Sequence, residues 1–111
     1  MELTVEVPRQ GVAVVKASGR LDLLTAADTK QKLADVVSAG HHRLVVDLSQ
    51  VASMDSSGLS ALISGLKSAR LASGDLRIAC PSQPVRVVLE LTRLDRVLHP
   101  YATLEEALAE Y

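Results

Sequence analysis

"RLVVDLSQVASMDSSGLSALISGLKSARLASGDLRIAC", residues 43–80, sets two short apolar runs, RLVVDL at 43–48 and LRIAC at 76–80, on either side of a helical pattern. Runs of this length, rich in β-branched residues, suit buried strands. Between them Leu59, Leu62, Ile63 and Leu66 recur at three- and four-residue spacing, so SSGLSALISGLKSARLAS at 56–73 reads as a helix, with Gly74 as its stop. Strand, helix and strand joined in this way form a right-handed crossover between parallel neighbours of one sheet.

The flanking sequence extends that unit. LTVEV at 3–7 and VAVVKAS at 12–18 are separated by PRQG, whose Pro8 and Gly11 favour a turn, and are predicted to pair as an antiparallel hairpin. Thr25 followed by Asp28 resembles a capping box, and Ala26, Leu33, Val36 and Val37 keep helical spacing until Gly40. Ser82 with Pro84 opens a third helix bearing Val85, Val88, Leu89 and Thr92, and an extended piece is expected around Val97 and Leu98. Thr103 with Glu106 starts a last helix, with Leu104, Ala107, Leu108 and Tyr111 on one face. The fold class is therefore α/β: a mixed, mostly parallel sheet of four to five strands with about four helices, in a single domain over 1–111.

Composition excludes several functions. Twelve basic and 13 acidic residues give a formal net charge of -1, which supplies no strong field for nucleic acid or anionic lipid. Aromatic residues make up 2%, too few for base-stacking platforms. No apolar stretch approaches the roughly 18 residues of a membrane-spanning helix, and Met1 runs into ELTVEV without a basic start, so the expected location is cytoplasmic, with no membrane insertion. Cys80 is the sole cysteine and is read as a small buried apolar residue; a reactive thiol would need a nearby cation or a helix start, the latter only from Pro81 and Ser82.

MDSSGL at 54–59 puts an acid, two hydroxyls and a glycine at the start of the central helix. On a helical wheel Ser57 falls about 170° from the core direction and Ser56 about 70° from it, so Ser57 is the outward hydroxyl. Ser60, Ala61, Ser64 and Ser68 share that outward face, where solubility alone favours Lys, Glu or Arg. Small side chains there fit either a solvated face on which serine is tolerated or a face on which a partner's backbone approaches closely. Unpaired N–H groups and the helix dipole welcome an anion at this end, typically by about 0.3 to 1 kcal/mol. A phosphate on Ser57 is thus compatible with the fold, whereas an uncompensated charge in a partner interface costs about 3 to 5 kcal/mol. Asp55 suits a helix cap and Asp22 a turn.

At these residues the chain resembles the STAS domain family of bacterial anti-sigma factor antagonists. MDSSGL at 54–59 is similar to the family's phosphorylation motif, and GRLDLLTA at 19–26 to its Gly-x-Leu-Asp…Thr-Ala loop. The resemblance implies a β-α superhelix and partner switching. The unphosphorylated antagonist binds an anti-sigma factor, which is often a serine kinase holding its own ATP, and a sigma factor is freed. Transfer to Ser57 ends that binding, and a separate phosphatase restores it. Asp22, Asp55, Ser56, Ser57, Gly58, Ser60, Ala61 and Ser64 are the expected partner surface, with Asp22 beside the acceptor. Arg20 departs from the acid common there, and Arg93 stands where glycine is common.

The competing readings are weaker. A nucleophilic Ser57 lacks a Gly-x-Ser-x-Gly elbow, and His41, His42 and His99 bear no diagnostic relation to it, so no enzyme is expected. His41 and His42 read as solvated turn residues, since their spacing matches no metal pair. GLSALISG lacks the Gly-Lys-Ser/Thr ending of a phosphate loop, so no cofactor is assigned to this chain. The resemblance also leaves an adaptor role open, as a scaffold in a stress complex or a subunit of a lipid-transport ATPase. The anion-transporter tails of the family are disfavoured.

Overall fold

In the computed structural model, which describes residues 1–109 and 111, the strands β1 (Glu2–Arg9), β2 (Val12–Leu21), β3 (Arg43–Met54) and β4 (Asp75–Ala79) form one sheet in that spatial order. β1 and β2 are antiparallel, while β2–β3 and β3–β4 are parallel. The helices are α1 (Ala26–Ser38), α2 (Ser56–Leu71), α3 (Gln83–Thr92), the single turn α4 (Asp95–Leu98) and α5 (Leu104–Leu108). The crossovers through α1 and α2 step in the same direction along the sheet, which puts both helices on one face and against each other.

Side-chain alternation explains why both faces of the sheet are covered. Ala13, Val15 and Ala17 of β2, Leu44, Val46 and Leu48 of β3, and Leu76 and Ile78 of β4 point to the larger core, where they meet Leu33, Leu62, Leu66, Val85, Leu89 and Leu98. Val14, Val45 and Ala79 point the other way and pack on Ala107, flanked by Tyr101, Leu104, Leu108 and Tyr111. The last helix therefore seals the sheet's second face. The guanidinium of Arg77 lies 4.1 Å from the Tyr111 ring and 5.4 Å from the Tyr101 ring, and donates to the Ala107 carbonyl at 2.8 Å. The Tyr111 hydroxyl donates to the Leu44 carbonyl at 2.9 Å.

Several local expectations need correction. The hairpin turn is tighter than PRQG: Arg9 pairs with Val12 around Gln10 and Gly11, with Gly11 at φ 81°, and Pro8 falls where the register shifts. Val97 and Leu98 are helical, because Leu98 returns one turn onto Leu94, its N–H donating to the Leu94 carbonyl at 2.9 Å, and drops into the core. The extended contact comes later, where Tyr101 bridges Ala79 in parallel. α2 stops at Leu71, and Ser73, at φ 65°, takes the left-handed turn assigned to Gly74. Gly74 is needed for another reason, since a Cβ there would collide with the His42 carbonyl oxygen.

Candidate functional site

The parallel strands β2 and β3 finish side by side, with Leu21 opposite Met54, so the loop at 22–25 and the start of α2 emerge together at the carboxyl edge of the sheet. Asp55 joins them. Its Oδ1 accepts from the Gly58 N–H at 3.0 Å, capping α2, and its Oδ2 accepts from the Leu23 N–H at 3.1 Å. The Asp55 N–H in turn donates to the Leu21 carbonyl at 3.2 Å. Gly58 permits this closeness, because a Cβ there would run into the Leu21 carbonyl oxygen.

Asp22 shapes the facing loop. Its Oδ1 accepts from the Leu24 N–H at 3.0 Å, and its carbonyl accepts from the Thr25 and Ala26 N–H groups at 3.1 and 2.8 Å. Thr25 occupies the cap position of α1, but its hydroxyl makes no capping bond. It accepts from the Asp22 N–H at 3.0 Å and donates to the Arg20 carbonyl at 2.8 Å, so the predicted capping box with Asp28 is replaced by a closed loop.

An open groove of about 330 Å³ runs between the two helix starts, lined by Ala26, Ala27 and Lys30 of α1 and by Ser56, Ser57, Ser60, Ala61 and Ser64 of α2. Ser56 and Ser60 are exposed, Ser57 and Ser64 half-buried, and Ala61 is only 3% exposed. Ala61 is thus a correction to the outward face of the wheel, and Ser57 is more sheltered than Ser56. The wheel allows one buried side, but α1 covers a second flank: a Cβ on Gly65 would lie 2.6 Å from Leu33 Cδ1. Ser57, Ala61, Gly65 and Ala69 follow at four-residue spacing, a ridge of small residues beside which α1 lies.

The other singled-out residues lie elsewhere. Cys80 is half-buried at φ 55°, and burial, with Asp47 adding to it, pushes its thiol up from the ordinary range despite a backbone hydrogen bond from Leu104. A reactive thiolate is disfavoured there. His41 and His42 are half-buried in the connection before β3, where the His42 carbonyl accepts from the Asp75 N–H at 3.1 Å. His99 is exposed, and among the described residues no group of three or more His, Cys, Asp or Glu is placed to hold a metal. Leu23 and Leu24, 74% and 88% exposed beside the groove, were missed by the sequence reading. The signal was the Leu-Leu pair between Asp22 and Thr25, where no helix or strand period can bury both.

A STAS domain model matches residues 5–107. The chain belongs to the STAS family. It is 32% identical over 98 residues to the anti-sigma-F factor antagonist RsfB of Mycobacterium tuberculosis, covering 88% of this chain and 80% of the relative. The crystal structure of an anti-sigma factor antagonist from Mycobacterium paratuberculosis superposes with a TM-score of 0.85 at 32% identity, over 97% of this chain and 91% of the other. The STAS fold is also that of SpoIIAA, with TM-scores of 0.82 for the unphosphorylated form at 22% identity and 0.75 for the phosphorylated Bacillus form at 20% identity. These cover 96% and 97% of this chain, and 93% and 97% of the SpoIIAA chains. No helix among the described residues is long and apolar enough to cross a membrane.

Proposed function

We propose that this STAS domain is an anti-sigma factor antagonist switched by phosphorylation of Ser57. The observation that carries the reading is the groove in which Ser57 stands, between the N-termini of α1 and α2 with Lys30 on its wall. The groove runs beside the first turns of both helices, where the dipoles favour an anion, so a phosphate adds little strain to the domain. Asp55, by capping α2 from outside the helix, leaves the acceptor hydroxyl clear of that bond. The names of the STAS relatives support the same role.

In the unmodified state the edge formed by Asp22, Ser56, Ser57, Ser60 and Ser64 receives an anti-sigma factor that is a serine kinase and brings its own ATP. Phosphoryl transfer places about 1.5 to 2 negative charges inside that contact and ends it. A phosphatase resets the switch. The chain is then binder and acceptor, with no catalytic group of its own, and works in the cytoplasm beside the transcription machinery. Ala61 supports the groove from beneath and does not touch the partner.

The test presents each purified anti-sigma factor kinase of the source cell, with ATP, to the chain. One of them is expected to bind the unmodified protein and to place a single phosphate on Ser57, as mapped by peptide mass spectrometry. Ser57→Ala is expected to bind and stay unmodified. Transfer to a different residue, or binding that phosphorylation leaves unchanged, would sink the reading. A domain that takes no phosphate and associates only with a transport ATPase would be an adaptor.

A further inference from the structure

We propose that Leu23 and Leu24 are the apolar anchors that seat the anti-sigma factor kinase over Ser57, an inference that rests on the antagonist reading above. Leu21, immediately before the loop, is fully buried, whereas Leu23 and Leu24 stand 74% and 88% exposed. Their backbone is nonetheless fixed. The Leu23 N–H is held by Asp55 Oδ2 at 3.1 Å, the Leu24 N–H by Asp22 Oδ1 at 3.0 Å, and Thr25 closes the turn onto Arg20. Two apolar side chains on a pinned loop lose little freedom when a partner covers them, which is the condition under which buried area becomes affinity.

Continuity with the groove selects the occupant. The loop runs from the leucines directly into Ala26 and Ala27, which form one wall of the groove whose other wall carries Ser57. The Asp55 carboxylate that holds Leu23 also caps the helix bearing Ser57. A kinase reaching that hydroxyl must lie against this loop, so the partner surface that fits is an apolar socket beside its phosphoryl-donor site. Leu71, 89% exposed at the far end of α2, shares none of this geometry and serves as a control.

The experiment uses the full chain, the kinase identified by phosphorylation of Ser57, and the double variant Leu23→Ser/Leu24→Ser. Removing two exposed leucines is expected to leave the melting temperature unchanged. Calorimetric titration is expected to show Kd raised about 10- to 100-fold. The KM for phosphorylation rises in step while kcat stays the same, because the acceptor and donor are untouched. Leu71→Ser changes neither. Equal Kd and KM for the double variant and the unaltered chain would overturn the proposal. So would a chain that sediments as a dimer, becomes monomeric in the double variant and keeps its kinase affinity, since the leucines would then belong to a second copy. If no anti-sigma factor kinase binds even the unaltered chain, the antagonist reading falls and takes this one with it.

Discussion

Gly58 and Asp55 fix the site one residue at a time. Gly58 leaves no space for a methyl group, because the obstacle is the Leu21 carbonyl and not a side chain that can swing away. Gly58→Ala is therefore expected to lower stability by about 1 to 3 kcal/mol, seen as a lower urea midpoint at unchanged slope. Asp55→Ala removes a helix cap and the tie to Leu23, for a loss of about 1 to 2 kcal/mol by the same measurement. Asn, with one acceptor oxygen, restores only one of the two bonds. The capping role of Asp55 was readable from its place before an apolar helical pattern. Its second bond was not, because it spans 32 residues and exists only once β2 and β3 lie in register.

The helix ends show where local pattern reading succeeds and where neighbouring elements override it. α1, α2 and α3 all close with the same pair of backbone bonds: Gly40 to Val37 and His41 to Val36, Ser73 to Arg70 and Gly74 to Ala69, Arg93 to Glu90 and Leu94 to Leu89. Each needs one left-handed residue, supplied by Gly40, Ser73 and Arg93 at φ 99°, 65° and 61°. The sequence pattern located Gly40 correctly but chose Gly74 over Ser73, since the packing of Gly74 against the His42 carbonyl is invisible before the strands assemble. It likewise read Val97 and Leu98 as extended, because a four-residue helix has too little period to detect. Ser73→Gly and Arg93→Gly are each expected to stabilise the domain by about 0.5 to 1 kcal/mol in thermal melts, having no Cβ to strain at positive φ. Gly74→Ala is expected to do the opposite and melt at lower temperature.

At the scale of the whole molecule, the sheet separates the helices that line the Ser57 groove from a second, sealed face. On the second face Tyr111 donates to Leu44 and stacks on Arg77, and burial, helped by Asp75 and opposed by Arg77, pushes its phenol well above the ordinary range. A raised acid pKa means that the unfolded chain ionises first. The stability from the neutral phenol is whole below about pH 10 and falls as pH rises beyond it. Tyr111→Phe should lose about 1 kcal/mol at neutral pH and flatten that alkaline decline, which chemical denaturation at several pH values would measure. It should leave the partner's affinity unchanged, because the bond it deletes lies across the sheet from α1 and α2. Ser57→Asp should behave in the reverse sense. Its charge sits in an open groove between two helix N-termini, where the dipoles and Lys30 favour an anion, so its melting temperature should match that of the unaltered chain. Its affinity for the kinase should nevertheless fall at least a hundredfold, because sealing the same charge in the interface strips it of water. A switch that worked by remodelling the fold would couple the two readouts, and Ser57→Asp would then shift melting and affinity together. Separate shifts would mean that phosphorylation acts on the contact alone.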